Sequence, residues 1–322
     1  MEQEMKYIYT VYKHASFSKA ASALFMTQPA LSLAVQRVEA KVGMPLFDRT
    51  CKPLKLTAAG DLYIRKYVEI ENLENELEQQ INDLSTLQAG TLRIGGSHYI
   101  NSYVLPPVLA AFAREYPKVR LELTEAGSSD LLQMLYDHDI DITFNCTEKP
   151  NDSFRRAPCF IDMILLAVPA DFPVNRRLAD CAFTSDDILE KKHQLFGTPG
   201  VSMAEFADTP FILLTPGNNL YSRSSRFFEE AGVTPDIRLQ VSQLVTAWHL
   251  SCAGMGAAFI SDFLVTSRTD KVLFYKISSP GTIRVFDIAM SGRHYVSNAM
   301  KAFEELFREW YGMNIPDREP ER

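Results

Sequence analysis

The feature that most constrains this chain is a long helical stretch that begins after Thr57. Thr57 is a good N-cap, and the pattern predicts one helix over residues 58–87. At about 1.5 Å per residue, such a helix spans about 45 Å. Because a lone helix of this length cannot bury its apolar stripe against one small domain, we expect a partner helix from a second copy of the chain. Packing within one protomer stays open as an alternative. The stripe consists of Ile70, Leu73, Leu77, Ile81, Leu84 and Leu87.

Three shorter helices are expected before the long one. In the second, over residues 19–24, Ser18 is the expected N-cap. Thr27 is expected to cap the third, which starts at Gln28, runs to about residue 41 and ends at Gly43. The first helix should bury one face made of Met5, Ile8, Tyr9 and Tyr12.

The third helix has an apolar side and a polar side. Two short helices joined by a tight turn, with a polar face on the second, are typical of a helix-turn-helix. Leu54 and Leu56 then alternate with Lys55, as in a small hairpin whose tip carries Arg49 and Lys52, a plausible wing. The apolar side of the third helix is predicted to be Ala30, Leu31, Val35 and Val38, and the other side Gln28, Ser32, Gln36 and Arg37.

From Thr91 onward, short apolar runs alternate with helical segments. This alternation predicts an α/β domain with a parallel, doubly wound sheet. Residues 314–322 are polar with two prolines and are expected to be a frayed tail. The expected strands are 91–96, 119–124, 140–144, 163–168, 211–215, 237–241, 257–260 and 283–290, and the expected helices are 104–116, 130–136, 220–231, 245–252 and 298–311.

Charge is distributed unevenly along the 322 residues. The net charge is −7, but residues 1–60 carry eight Lys/Arg and four Asp/Glu, which leaves +4 on this segment and −11 on the remainder. A basic N-terminal segment indicates contact with a polyanion, although the excess is small. No apolar run is long enough for a membrane span, and no signal peptide is evident, so we expect a cytoplasmic protein. The five cysteines form no CxxC pair, and reduced, mostly buried thiols are expected.

The N-terminal motifs resemble those of a known family. Residues 17–36, FSKAASALFMTQPALSLAVQ, followed by VEAKVGMPLFDRT and LTAAG, resemble the helix-turn-helix and wing of the LysR-type transcriptional regulators. Four motifs occur in family order: the Ala-Ala pair, Gln-Pro-Ala-Leu-Ser, Gly-x-Pro-Leu-Phe-x-Arg and Leu-Thr-x-x-Gly. A looser likeness covers the rest of the chain, through Arg93-Ile94-Gly95, Ile140-Asp141-Ile142 and Gly254-Met255-Gly256.

The resemblance implies the organisation of the whole chain. It implies a mainly α winged helix-turn-helix (1–57), a linker and dimerisation helix (58–90), an effector-binding domain (91–313) and a tail (314–322). The effector-binding domain would resemble a periplasmic binding protein, with two Rossmann-like α/β subdomains, 91–162 with 266–313 and 163–265. A small molecule would bind in the cleft between them, without a cofactor. The family also implies dimers, usually paired into tetramers, while a contact with RNA polymerase is left open.

Two departures from the family pattern stand out. Leu33 and Ala34 occupy positions where many relatives carry Arg, Lys or Gln, which implies fewer polar contacts to bases. Residues 178–200 are longer than the usual segment, and the sequence assigns this insertion no function.

The predicted DNA contacts concentrate at the start of the third helix and on the wing. Thr27 would lie beside a phosphate, because free N–H groups and the helix dipole favour an anion there. Gln28 is the best candidate for a base contact, since an amide pairs bidentately with adenine. Arg49 is expected in the minor groove. The remaining predicted contacts, to phosphates or to a thymine methyl group, are Ser18, Pro29, Ser32, Gln36, Arg37, Lys52 and Lys55. An ordinary solvated face is the alternative for each of them.

The predicted effector site lies on loops that follow strands. In open α/β sheets, ligands bind beyond the carboxyl ends of the strands, near helix N-termini, and hydroxyl groups with free N–H groups there favour a small anion. Plain N-capping by the serines, and a packed loop position for His98, remain alternatives. The predicted effector contacts are Ser97, His98, Tyr99, Ser128, Ser129, Thr215 and Asn218.

Three rival functions are less well supported. An enzyme is disfavoured because the chain has no GxSxG, P-loop or HExxH motif and no clustered carboxylate pair. A solute-binding transport protein would explain only the C-terminal part. A redox sensor of the same family would use one of the cysteines, although burial is their commoner fate. The four candidates are Cys146, Cys159, Cys181 and Cys252.

Overall fold

The computed structural model describes residues 2–84, 90–146, 153–195, 197, 198, 200–292 and 295–312. The chain divides into two compact units, Met1–Ile81 and Asn82–Arg322. Among the described residues, no helix combines the length and the apolar character needed to cross a membrane.

The first unit is a small helical domain with a two-stranded hairpin. The hairpin strands pair antiparallel, with Phe47 opposite Leu56. Met5 and Ile8 are buried as predicted, but Tyr12 is exposed and Val11 takes its place in the core, because the buried face of the first helix lies one residue away from the predicted one. The elements are α1 (Glu2–His14), α2 (Phe17–Ala23), α3 (Gln28–Val42), β1 (Phe47–Asp48), β2 (Lys55–Leu56) and α4 (Ala58–Leu84).

Helix α4 forms as one continuous element. Its end at Leu84 is three residues before the predicted end, and residues 85–89, with Leu87, lie outside the described residues. Four of the predicted stripe positions are exposed in the single chain, namely Ile70, Leu73, Leu77 and Ile81.

The second unit is an α/β domain. Its elements are β3 (Gly90–Gly96), α5 (Leu105–Glu115), β4 (Val119–Glu125), α6 (Ser128–Tyr136), β5 (Ile142–Asn145), β6 (Phe154–Pro169), α7 (Val174–Arg177), α8 (Ser185–Leu189), β7 (Pro210–Leu214), α9 (Asn219–Glu230), β8 (Asp236–Val241), α10 (Leu244–Cys252), β9 (Ala257–Ser261), β10 (Val272–Lys276), β11 (Ile283–Ser291) and α11 (Asn298–Tyr311). The predicted elements occur in the predicted order, and the boundaries of the five predicted helices lie within two residues of the prediction, whereas α7, α8 and β10 were not predicted.

The sheet is mixed, so the expectation of a parallel sheet was wrong. Its order is β4-β3-β5-β11-β6-β9-β7-β8, and β10 also pairs with β6. Two groups of parallel strands, β4-β3-β5 and β9-β7-β8, are joined by the antiparallel strands β11 and β6. The carboxyl ends of the parallel strands in each group carry the loops predicted to bind the effector.

The long strand β6 connects the two groups. Only its second half was predicted as a strand; its first half pairs with β11, and its second half pairs with β9 and β10. The strand Val272–Lys276, which the predicted boundaries assign to the first subdomain, therefore pairs in the second group with residues 165–169.

Within residues 178–195, part of the segment that the sequence indicates to be longer than usual, the chain forms short helical turns at Ala179–Cys181, Ser185–Leu189 and Lys192–Gln194. Its helix α8 has a capping box, in which Thr184 and Asp187 satisfy each other's backbone N–H groups. Further along, His193 Nε2 and Gln194 Nε2 each lie 3.0 Å from the Asp262 carboxylate, which also accepts the Met163 N–H. This part of the chain is thus held by hydrogen bonds to Asp262, which follows strand β9.

Candidate functional site

Helices α2 and α3 with the turn between them form a helix-turn-helix. Thr27 caps α3 as predicted, its hydroxyl accepting the N–H of Ala30, and Gly43 ends the helix in the left-handed conformation. The predicted cap Ser18 was wrong: α2 starts earlier, and Ser16 accepts the N–H of Lys19. Ser18 lies inside α2 and is exposed.

One side of α3 is buried in the domain core. Leu31, Val35 and Val38 form this buried side, as predicted, but Ala30 is exposed because it lies about 100° around the helix from Leu31. The predicted contacts on α3 are accessible: Ser32 is half-buried, and the exposed ones are Thr27, Gln28, Pro29, Gln36 and Arg37.

The wing holds the remaining predicted contacts. Lys52 and Lys55 are exposed. Arg49 is the first residue after β1 rather than the tip of the hairpin, and its guanidinium is folded back onto the domain. It pairs with Glu39 at 2.9 Å and lies over the ring of Phe17, 5.2 Å from its centroid.

Glu39 is a residue that the sequence reasoning missed. One of its carboxylate oxygens accepts the N–H groups of Leu46 and Phe47, at 2.9 and 3.4 Å, and the other accepts from Arg49. A single carboxylate on α3 therefore fixes where the wing begins. Its position among solvated charges of a helix gave no signal of this role.

In the second unit, the loop after β3 places Ser97 and His98 near the surface and Tyr99 in the interior. Ser97 is half-buried, with its hydroxyl 3.5 Å from the N–H of Ile100. His98 pairs with Glu125 at 3.0 Å and lines an open groove of about 420 Å³, together with Tyr103 and Val245 among others.

Tyr99, by contrast, belongs to a buried polar cluster. Its hydroxyl donates to Asp162 at 2.9 Å and lies 2.8 Å from the hydroxyl of Ser261, which also bonds Asp162. The guanidinium of Arg284 binds the same carboxylate through two nitrogens. Asp162 is fully buried and Arg284 is 4% exposed, so this cluster is sealed from solvent.

The charges in this cluster compensate one another. Burial lowers the pKa of Arg284, but the Asp162 carboxylate outweighs burial and raises that pKa above its ordinary value. Burial, with Asp162 next, raises the pKa of Tyr99 well above its usual range, so its hydroxyl stays protonated. Tyr99 therefore serves as a donor within the fold, an arrangement that the sequence did not predict.

The other predicted effector residues lie at helix starts. Gly127 is the N-cap of α6, so Ser128 and Ser129 are the first two helical residues and neither caps the helix. Both serines are exposed, whereas Thr215 and Asn218 are half-buried after β7. Asn218 precedes α9 and donates to the carbonyl of Ser242 at 3.2 Å instead of capping.

The helices that follow the parallel strands β4, β7 and β8 share a property. Among the described residues, α6, α9 and α10 have no side-chain hydrogen bond at their N-caps. Helices α5 and α7 likewise have no such bond, whereas α2, α3, α8 and α11 are capped by a serine or threonine hydroxyl. A helix start without a capping side chain suits an anion.

The buried cysteines do not look reactive. Burial raises the pKa of the Cys146 and Cys159 thiols. It also raises the pKa of Cys252, which is less completely buried. A raised pKa keeps the thiol protonated, and the thiol is a poor nucleophile. Among the described residues, no group of three or more His, Cys, Asp or Glu side chains is arranged to hold a metal ion.

Family models match both parts of the chain. Residues 3–61 match the bacterial regulatory helix-turn-helix protein of the lysR family. Residues 85–183 and 188–312 match the LysR substrate binding domain. Together these matches cover most of the sequence.

Individual relatives match over nearly the full length. The uncharacterised HTH-type transcriptional regulator YybE of Bacillus subtilis is 25% identical over 303 residues, covering 94% of this chain and 96% of the relative. The crystal structure of full-length CbnR complexed with its target DNA superposes with a TM-score of 0.65 at 19% identity, covering 96% of this chain and 99% of that one. A full-length single-residue variant of OxyR from Pseudomonas aeruginosa gives a TM-score of 0.63 at 21% identity, with 96% and 97% covered.

Proposed function

The chain belongs to the LysR family of transcriptional regulators, and we propose that its α3 helix and wing recognise specific DNA sites under the control of a small anionic effector. Its relatives are regulators of transcription rather than enzymes. The observation that carries the proposal is the start of α3, where exposed polar groups stand on a helix whose other side is anchored in the core.

Base recognition is assigned first to Gln28. It is exposed at the first position of α3, next to the Thr27 cap, and its amide matches the donor and acceptor pattern of adenine. Gln28→Ala should weaken specific binding by about 1–3 kcal/mol and relax discrimination at one base pair. Titration of duplexes that differ at single positions tests this, and unchanged discrimination would refute the role.

Backbone contact is assigned to the wing, and Arg49 acts there together with Glu39. Lys52→Ala should lower affinity for all sequences and flatten the salt dependence of binding. Arg49→Ala should do the same and also loosen the start of the wing, because it removes the ion pair with Glu39. Glu39→Gln is the control that disturbs this pair without removing a positive charge. The remaining proposed contacts are Ser18, Thr27, Pro29, Ser32, Gln36, Arg37 and Lys55.

We assign the effector to the edge of the sheet where α6, α9 and α10 begin. Their uncapped first turns favour a carboxylate, and the neutral Asp162–Arg284 pair leaves these helix N-termini to provide the attraction. Ser97, Ser128, Ser129, Thr215 and Asn218 would supply further hydrogen bonds, with His98 at the neighbouring groove.

A thermal-shift screen of the full chain against small carboxylates and their neutral amides tests this assignment. A ligand at 100 times its Kd adds about 2.7 kcal/mol of stability to the folded state. The carboxylate should raise the melting temperature and the amide should not, and Ser128→Ala with Thr215→Val should reduce the shift. Stabilisation by the amide alone would contradict the anionic assignment.

Self-association is proposed through α4. The exposed apolar residues Ile70, Leu73, Leu77 and Ile81 recur at spacings of three and four and lie on one stripe. We propose a dimer on this helix and pairing of dimers into a tetramer, which light scattering of the purified chain would measure directly.

The remaining organisation follows from these roles. We propose a DNA-binding domain over residues 1–57, a linker helix over 58–90, subdomains formed by 91–162 with 266–313 and by 163–265, and a tail over 314–322. Because β10 pairs with the second half of β6, we propose moving Val272–Lys276 to the second subdomain. A protein that acts on DNA is expected in the cytoplasm.

A further inference from the structure

The face of α3 directly opposite its buried side is partly apolar. Successive residues of an α-helix are about 100° apart, so Leu33 lies about 200° from the buried Leu31. Pro29 precedes Leu33 by one turn on this outward face, and both are exposed. Leu33 is 50% exposed, although a leucine on the outside of a small domain loses the stabilisation that burial would give.

A second exposed apolar side chain lies in the turn before α3. Phe25 is 99% exposed and lies two residues before the Thr27 cap. Its φ of +54° is in the left-handed region, which is unfavourable for a residue with a bulky side chain. The turn is held by hydrogen bonds from Phe25 N–H to Ser22 and from Met26 N–H to Ala21.

We infer that Phe25 and Leu33 are apolar contacts to DNA, and that Leu33 recognises the methyl group of a thymine. This inference rests on the proposed role of α3 and is continuous with it, because Leu33 is exposed on the same helix as Gln28 and Phe25 lies in the turn just before that helix. The thymine methyl is the apolar group that base pairs present in the major groove. An apolar leucine side chain can make a van der Waals contact with this methyl group.

The helix geometry separates the contact of Leu33 from that of Gln28. Leu33 follows Gln28 by five residues, which is about 7.5 Å along the helix axis. Five residues also turn the side chain by about 140° around the helix, so Leu33 and Gln28 should contact different base pairs, and the deoxyuridine scan below locates the thymine. Phe25 precedes the helix on the side of the Thr27 phosphate contact, where its ring would pack on the deoxyribose of the backbone.

The test compares thymine with deoxyuridine, which lacks only the methyl group. A random-sequence duplex library is first used to select the preferred site of the full-length chain. The selected duplex is then prepared with each thymine replaced in turn by deoxyuridine, and its affinity is measured. Loss of one buried methyl contact should weaken binding about fourfold at one position.

Variants assign the contact to a residue. Leu33→Ala should bind the thymine and deoxyuridine duplexes equally, and Leu33→Gln should select a different base at that position. Leu195→Ala, an exposed leucine of the second unit, is the matched control and should keep the fourfold difference. Phe25→Gly removes the ring and relieves the left-handed strain, so it should melt at the same or a higher temperature yet bind both duplexes several-fold more weakly.

The outcomes separate this inference from the proposed function. If the library yields no preferred site, the proposed recognition of specific DNA fails and this inference fails with it. If a site is selected but every deoxyuridine duplex binds as well as its thymine parent, only the role of Leu33 is overturned. Unchanged affinity of Phe25→Gly overturns the role of Phe25.

Discussion

Removing Arg284 should strongly destabilise the effector-binding domain. Its guanidinium binds Asp162 through two nitrogens, with one distance of 2.7 Å, and both side chains are buried. Arg284→Met keeps much of the side-chain volume but leaves the Asp162 carboxylate, within the described part of the chain, with the hydroxyls of Tyr99 and Ser261 as its side-chain partners. Removing one partner of a buried ion pair costs about 3–5 kcal/mol, because the other charge is left uncompensated.

Urea unfolding of the full-length chain measures this loss. The buried Trp248 makes tryptophan fluorescence sensitive to unfolding of the second unit. For an m-value of about 2–3 kcal/mol per molar urea, the midpoint should fall by on the order of 1–2 M. As a control, Arg120→Met removes one partner of the exposed Arg120–Glu122 pair and should change stability by less than about 1 kcal/mol.

A double variant distinguishes ion pairing from packing. Arg284→Met with Asp162→Leu removes both charges, and Tyr99 and Ser261 can still bond to each other at 2.8 Å. Replacing a buried pair with apolar residues is often neutral, so the double variant should recover most of the lost stability. A midpoint change below about 0.3 M for Arg284→Met, or a double variant as unstable as the sum of the singles, would refute this reasoning.

Three further predictions concern other parts of the chain. Gly60→Ala should unfold the first unit and abolish DNA binding, since its Cβ would lie 2.0 Å from the carbonyl oxygen of Leu46; a melting temperature equal to wild type would contradict this. Leu77→Asp should shift the protein towards the 36.4 kDa monomer in light scattering, while Asn75→Asp, which adds the same charge at another position of α4, should not. Asp187→Asn should lower the stability of α8 at neutral pH. Hydrogen bonds from Lys192 and then Thr184 lower the pKa of Asp187 to about 2, so the stabilisation by this carboxylate is present above pH 4 and is lost as the pH falls through about 2. The difference in stability between wild type and Asp187→Asn should therefore narrow between pH 7 and pH 3, and a constant difference would contradict this.

The elements that the sequence predicted well are those decided by nearby residues. Thr27 and Gly43 delimit α3 as expected, and α11 spans the predicted residues. The N-cap of α2 was missed because two serines compete for it. Phe17 packs edge-on against Phe47, a contact thirty residues away that no local pattern contains, and the helix therefore begins at Phe17 with Ser16 as its cap.

The sheet could be predicted only in part for the same reason. A run of apolar residues indicates a strand but not its partner or direction, and β6 is defined by three different partners along its length. Strand β10 was overlooked because it lacks a neighbouring helix in the alternating pattern, although it is as long as β7 and β9. The Asp162–Arg284 pair joins residues that are 122 positions apart, so no motif could have indicated it.

A serine or asparagine at a helix start can either cap the helix or bind a ligand, and the predicted effector residues illustrate this ambiguity. Ser128 and Asn218 have the side chains of N-caps, and sequence reasoning left capping and ligand binding as alternatives. To cap a helix, a residue must lie just before the first turn, and its side-chain oxygen must accept an N–H group of that turn. Ser128 is already inside α6, and the amide of Asn218 is engaged by Ser242. Their helices therefore start without a capping side chain, whereas Ser297 and Thr184 cap theirs. N–H groups at a helix start are met by a capping side chain, by water or by a ligand. Helices α5 and α7 also lack a cap, so the anion site proposed at α6, α9 and α10 depends on their position after the parallel strands β4, β7 and β8 as well as on the missing caps.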